Sequence, residues 1–282
     1  MTKEEYGDLL AEIGGGNQIG IAARRERKAA EQAVLVKHDT ELWAFLSLGD
    51  ALHQFYRDSL GLVALKIPGV PLSDVQMAMT HWHIVSFNRF AAAFDLMAHG
   101  YYPEAMVLAR DLWEVALTLA ALQKGVVTLT DILATEGGSR RERELLSRKT
   151  DQNIKRVLIL ENAALSNKSK EAVDTFVGLA NLATHKSKLQ LGMNLARVAK
   201  SEPTPLFPHF DDQWASVVHN VQCLATWTLV STLPYLDFAL AASNPQWHTR
   251  YGRVQLAFRE GLATGPNATV QAWPEIIDKV FA

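Results

Sequence analysis

Cysteine is nearly absent from this sequence, and so is an excess of charge of either sign. Cys223 stands alone among 282 residues, which excludes an internal disulfide framework and is typical of a reducing compartment. The formal net charge of -2 creates no global field that would attract nucleic acid or an anionic membrane. The charged opening Met-Thr-Lys-Glu-Glu-Tyr also lacks the apolar core of a signal peptide. We therefore expect a cytoplasmic protein.

The sequence motifs that identify most metal and cofactor sites are missing as well. No His-Glu-x-x-His or Cys-x-x-Cys occurs, which excludes the common zinc signatures. No Glu-x-x-His occurs, which excludes the di-iron bundle signature. The glycine run 14–16 is not followed by Gly-Lys-Ser or Gly-Lys-Thr, so it does not predict a phosphate-binding loop. We expect neither a metal nor a cofactor.

One long stretch, from Gln213 to Leu236, contains no Lys, Arg, Asp or Glu. This length is sufficient to cross a bilayer. However, its His219, Asn220 and Pro234 are poorly suited to lipid. We interpret the stretch as part of a long core helix over about 211–242 that Pro234 kinks, and we expect no membrane association.

Helical signals account for nearly all of the remaining sequence. Ser73 and Gln76 form a capping box that predicts the start of a helix, and Gly100 predicts its end. A helix over about 103–124 follows almost at once, so the two are expected to form an antiparallel hairpin. This second helix is apolar on most sides, as expected for a helix packed by several others. No alternating strand pattern longer than a few residues occurs, so the sequence predicts an all-α fold, a multi-helix bundle around this central apolar helix.

Breaks in the helical pattern divide a single predicted domain, 1–282, into three parts. Residues 1–37 form an N-terminal helical extension, 38–242 the core bundle, and 245–282 a C-terminal helix followed by a loose tail that ends in a short helical turn near Pro274 to Phe281. The last boundary rests on the turn signal Asn244-Pro245. We expect aromatic side chains of the C-terminal part to be exposed and available to a partner, namely Trp247, Tyr251 and Trp273.

Two opposite charges interrupt the apolar surface of the central helix. Arg110 and Glu114 are four residues apart and therefore share one helical face. Burying a charge is costly unless the charge is paired. The sequence therefore predicts an ion pair inside the bundle.

A later helix supplies residues that would complete a site around this pair. Asn181, His185 and Lys188 share one helical face at i, i+4 and i+7. If that face meets the central helix, Glu114 orients His185 for acid–base catalysis near neutral pH. Arg110, Asn181 and Lys188 would then bind an anionic group. The alternative is a structural network that fixes helix register, and the sequence leaves the two interpretations open.

A second polar stripe runs along the helix before the central one. His81, Asn88, Asp95 and His99 follow one another at roughly heptad spacing, whereas His83 lies on another face. This stripe faces either the bundle interior or solvent.

Residues of the central helix and of its flanks form a pattern that is similar to one found in other helical proteins. Gly100-Tyr101-Tyr102-Pro103-Glu104-Ala105 is followed by Leu108-x-Arg110-x-x-x-Glu114, and later by Phe176-x-x-x-Ala180-x-x-x-Thr184-His185. Residues 85–195 thereby resemble a loosely defined group of uncharacterised bacterial helical-bundle proteins. The chain is also remotely similar, in size and helix content, to the HEPN-class bundles of toxin and defence systems. Ribonucleases of that class use an Arg followed by a His after four to six residues, and none of the nine histidines here has such an Arg.

Two functions follow from these observations. The first is a non-enzymatic module that binds a protein partner or forms a homo-oligomer, which the missing catalytic motifs favour. The second is an enzyme that acts on a phosphate-bearing substrate, with RNA and a toxin or defence role among the candidates. It would use His185, Glu114 and Arg110. Nucleic acid would then be guided by a basic helix that carries Arg140, Arg141, Arg143 and Arg148.

Overall fold

The computed structural model describes residues 2–5, 8, 17–64, 71–134, 138–184, 225–236, 244–263 and 268–281. Within these ranges all regular structure is helical and no strand occurs, which confirms the all-α prediction. His185, Lys188 and most of the charge-free stretch lie outside the described residues.

The longer helices are numbered in chain order. They are α1 (Asn17–Glu41), α2 (Trp43–Ala64), α3 (Asp74–Ala98), α4 (Tyr102–Gln123), α5 (Leu129–Ala134), α6 (Arg140–Lys155), α7 (Asn167–Thr184), α8 (225–231), α9 (Pro245–Ala263) and α10 (Ala268–Ile276). Short π-helical turns, Arg156–Leu160 and Ile277–Phe281, extend α6 and α10, and a 3-10 turn, Leu233–Leu236, follows α8.

Helices α3 and α4 form the predicted hairpin. The Ser73 hydroxyl accepts a hydrogen bond from the Gln76 amide at 3.2 Å, and the Gln76 side chain accepts one from the Ser73 amide at 3.0 Å. This reciprocal cap fixes the start of α3. Gly100 adopts φ +86° just beyond its end, a conformation that glycine reaches without strain. The short connection turns the chain back, so α4 packs along α3.

Helix α4 lies at the centre of the bundle. Twelve of its residues are buried, and α4 packs against α3, α6 and α7. Several of these residues are alanines, which allow neighbouring helices to approach closely. The central position predicted for this helix is confirmed.

The C-terminal segment belongs to the core, so the expectation that Trp273 is exposed is wrong, whereas the helical turn expected near Pro274 to Phe281 is present. Trp273 is fully buried on α10, and its ring centroid lies 5.2 Å from those of Trp113 and Phe176. The Phe281 ring also contacts Trp113, with 5.6 Å between centroids. The sequence contains the signal, because apolar residues follow i, i+3, i+4, i+7 and i+8 spacing over 273–281.

Trp247 is buried as well, which overturns the expectation that it is exposed. Its indole nitrogen donates a hydrogen bond to the Ser59 hydroxyl at 2.7 Å. The ring stacks on Tyr251, with 5.2 Å between centroids, and this side chain is half-buried. These contacts join α9 to α2. The proposed division of the chain at 37 and 242 stays a prediction.

Only the last part of the charge-free stretch is described. There the α-helix ends at residue 231, and Pro234 lies in the 3-10 turn that follows. Among the described helices, none combines the length and apolar character that a membrane crossing requires.

Candidate functional site

Arg110 and Glu114 form the predicted ion pair, but at the surface of the bundle. The Arg110 Nε atom donates a hydrogen bond to Glu114 Oε1 at 2.7 Å. The exposed fractions of the two side chains are 29% and 53%. The expectation that the pair lies inside the bundle is therefore wrong. The pair is exposed because of α6, in which Ile154 is the sole buried residue. Because α6 covers so little apolar surface, it leaves this face of α4 open to water.

A cleft between α4 and α6 surrounds the pair. Its inner slot has a volume of about 110 Å³ and an apolar floor that includes Trp113, Ile154 and Phe176. A wider groove of about 330 Å³ lies between α3, α4 and α6, and Trp82 lines it. The slot and the groove share three residues, namely Glu114, Thr118 and Asp151. The cleft therefore combines a small apolar slot with a charged mouth.

Asp151 faces this mouth from α6. Packing around its carboxyl group raises the pKa, while a hydrogen bond from the Ser147 hydroxyl and the positive charge of Arg110 act in the opposite direction. Arg110 thus has a carboxylate in contact at Glu114 and a second one within electrostatic reach.

The charges that line the cleft balance one another. Positive side chains are Arg89, Arg110 and Lys155, and negative ones are Asp111, Glu114 and Asp151. Lys155 Nζ also binds Asp174 Oδ1 at 2.8 Å. A balanced cleft gives no field that concentrates a phosphate-bearing substrate, because such steering needs an excess of positive charge.

Helix α7 does meet the central helix, as the second part of the predicted site requires. Phe176 and Val177 of α7 line the slot beside Arg110. Asn181 lies one turn further along α7 and is half-buried. Because His185 and Lys188 lie outside the described residues, a site that joins them to Arg110 stays a prediction. In the described part of the chain, no group of three His, Cys, Asp or Glu side chains is arranged to hold a metal ion.

Most of the second polar stripe faces solvent, since His81, Asn88 and Asp95 are exposed, while His99 at its end is half-buried. The histidine of α3 that matters for the fold is His83, which is fully buried. Its Nδ1 atom lies 2.7 Å from the Tyr56 hydroxyl. Its Nε2 atom lies 3.4 Å from the Thr232 hydroxyl. Spacing alone could not single out His83, because its partners come from α2 and from the residues after α8.

Burial keeps two histidines neutral. Burial lowers the pKa of His83 to about 3, and a backbone hydrogen bond near Thr232 only partly offsets this effect. His38 is also buried, and its Nε2 atom lies 3.0 Å from the Tyr102 hydroxyl. Burial, together with the nearby charge of His99, lowers the pKa of His38 to about 4. Both histidines therefore join helices by hydrogen bonds without a charge.

A second candidate surface lies on α5 and α6. Ser139 and Glu142 cap α6 reciprocally, yet every residue of 140–149 is exposed. Three leucines stand out on these helices, with exposed fractions of 53% for Leu133, 58% for Leu145 and 42% for Leu146. An open groove of about 540 Å³ runs between α6 and the chain around α5, and Leu146 lines it. We call these three leucines and this groove the α5–α6 surface.

The basic residues of α6 are engaged to different degrees. Arg140 pairs with Glu144 at 2.9 Å, and an Arg143 nitrogen donates to the Gly138 carbonyl at 2.9 Å. Within the described ranges, the side chains of Arg141, Arg148 and Lys149 make no ion pair or hydrogen bond. The α5–α6 surface is therefore apolar with a basic margin.

Comparisons of the chain with protein-family models, with curated proteins and with solved structures find no match. The resemblance to bacterial helical bundles stays a prediction, and function is argued from the geometry above.

Arg110→Gln is expected to lower the free energy of unfolding by less than about 1 kcal/mol, because an exposed i,i+4 ion pair contributes little. Urea denaturation followed by circular dichroism measures the change. Arg140→Gln is the matched control, since Arg140 makes the same contact with Glu144 on the outer surface of α6. A loss above about 2 kcal/mol for Arg110→Gln alone would show that the pair is buried as the sequence predicted.

The free energy of unfolding is expected to fall as the pH drops below 6.5. In the unfolded chain His83 binds a proton near that pH, whereas in the folded chain its pKa is about 3, so protonation favours the unfolded state. Between pH 7 and pH 5 this histidine alone removes about 2 kcal/mol. Urea denaturation at both pH values should show that His83→Gln has a correspondingly weaker pH dependence. His81→Gln, an exposed neighbour on α3, should keep the wild-type dependence. Equal pH dependence in all three proteins would refute this role of His83.

Proposed function

We propose that this protein is a binding module that docks another protein chain on the α5–α6 surface. The observation that carries the proposal is that Leu133, Leu145 and Leu146 are exposed on two neighbouring helices, and that Leu146 lines an open groove between them. Large apolar side chains exposed beside a groove are typical of interaction sites. The proposal places this binding in the cytoplasm, in keeping with the single cysteine.

The construction of α6 supports this role. Its capping box stabilises the start of the helix, and its i,i+4 pair Arg140–Glu144 supports the first turns. The bundle itself contributes little, because Ile154 near its end is the one residue of α6 that is buried. A helix held by local interactions with its leucines in water is suited to a partner that covers them.

The alternative is an enzyme that acts on a phosphate-bearing substrate through Arg110, Glu114 and His185. It has less support from the described residues, because Arg110 is already bound to Glu114 and the cleft has no excess of positive charge. Nucleic acid binding through the basic residues of α6 is similarly weakened. Arg140 and Arg143 are engaged within the chain, and leucines interrupt the basic surface.

A photo-crosslinking amino acid placed at Leu145 in the full chain is expected to trap a protein in cells. The matched control is Leu256, which has the same exposed fraction of 58% but lies on α9, where the chain packs against α2 and α10. Adducts from position 145 should disappear when Leu146→Glu is added, because a charge then enters the contact surface. Gel shift and mass spectrometry identify the adducts.

Two results would contradict the binding module. One is the absence of a protein adduct at position 145, or equal adducts at 145 and 256. The other is an adduct with nucleic acid that survives Leu146→Glu, which would favour the alternative function.

A further inference from the structure

One exposed face of α6 is complementary to itself. Glu142, Leu145, Leu146 and Lys149 follow i, i+3, i+4 and i+7 spacing, so they share one side of the helix. All four side chains are exposed, and Leu146 and Lys149 open onto the groove of about 540 Å³. Along the helix the order is acid, leucine, leucine, base. A second copy running in the opposite direction presents base, leucine, leucine, acid, so opposite charges and leucines face each other.

We propose that the partner on the α5–α6 surface is a second copy of this chain, with the two α6 helices antiparallel. This inference rests on the proposed function and names its partner. A twofold axis between positions 145 and 146 would bring Leu145 of each copy against Leu146 of the other. Glu142 would then face the partner's Lys149, and Lys149 the partner's Glu142. The two helices thereby form one apolar centre with an ion pair on each side.

The charges of α6 select this orientation. A parallel arrangement in register would set Glu142 against its own counterpart and Lys149 against its own, which places like charges together twice. The antiparallel arrangement replaces both repulsions with attractions. Arg148 comes level with the partner's Arg143, but both arginines lie on the flanks of the helix, roughly 110° around it from the centre of the seam, and Arg143 binds the Gly138 carbonyl of its own chain. No like charges therefore meet at the centre of the proposed seam.

Both charged members of the seam are available for a partner. Lys149 makes no ion pair or hydrogen bond within the described ranges. Glu142 Oε2 accepts a hydrogen bond from the Ser139 amide at 2.8 Å, which leaves the other carboxylate oxygen for an incoming ammonium group. This cap contact also lowers the pKa of Glu142, so the carboxylate stays negative. The cap thus fixes the carboxylate at the edge of the seam.

The groove beside α6 gives room for the second helix. Packed helices lie about 8–10 Å apart, so a docked α6 needs an open channel on one side of its partner. Small Ala134 lines the far side of the groove, and exposed Leu133 belongs to the same helix. Because the seam extends over only about two helical turns, we expect a weak dimer with a dissociation constant of about micromolar or above.

Charge exchange between two variants of the full chain tests the pairing directly. Glu142→Lys and Lys149→Glu are each expected to weaken self-association by about tenfold or more, since each sets two like-charge contacts in the seam. An equal mixture of the two variants should recover the wild-type dimer, because each contact then joins a lysine to a glutamate. The double variant should also dimerise like the wild type. Sedimentation velocity over a range of protein concentrations measures all four cases.

The mixture separates pairing from helix stability. Glu142→Lys removes half of the capping box at Ser139, and mixing does not restore that cap. Recovery in the mixture therefore reports contacts between chains, while circular dichroism of each variant reports its helix content. A wild-type chain that stays monomeric at all concentrations, or a mixture as weak as its components, would overturn the second-copy proposal. If either result is accompanied by a crosslink from position 145 to a different protein, the binding module stands and only the second-copy proposal fails. If position 145 gives no protein crosslink either, both proposals fail.

Discussion

The structure depends on a difference in burial between two packed helices, because α4 buries much more apolar surface than α6. Helix α4 buries twelve residues, while α6 buries Ile154 alone. Neighbours α3 and α7 cover most of α4, and the strongly charged α6 covers little of the remaining face. Two features follow from this imbalance. The Arg110–Glu114 pair can remain hydrated at the mouth of a cleft, and the leucines of α6 are left in water.

The remainder of the core is closed by segments far apart in the chain. Trp273 of α10 packs against both Trp113 of α4 and Phe176 of α7, whose rings also contact each other, so α10 completes the central cluster. On another side, Trp247 of α9 packs on Phe55 and binds Ser59 of α2. Aromatic rings of this size contribute strongly to a core by the area they bury. They also need a partner for the indole N–H, which Ser59 supplies for Trp247 and Thr228 for Trp273.

Local features of this fold could be predicted from the sequence. The cap at Ser73, the turn at Gly100 and the apolar character of α4 each depend on neighbouring residues, and the structure confirms them. The depth of Arg110 could not be predicted, since it depends on how much of α4 another helix covers. The burial of Trp273 could not be predicted from local signals, since it depends on contacts with α4 and α7, although the apolar spacing over 273–281 indicates a buried helical face.

Hydrogen exchange of the backbone amides in α6 tests the central claim most directly. If local interactions and a second chain hold this helix, amides over 143–149 should exchange quickly in dilute protein and more slowly at high concentration. Amides in the middle of α4 should exchange slowly at both concentrations. Protection of α6 equal to that of α4 in dilute protein would contradict the claim, because the bundle alone would then hold α6 in place.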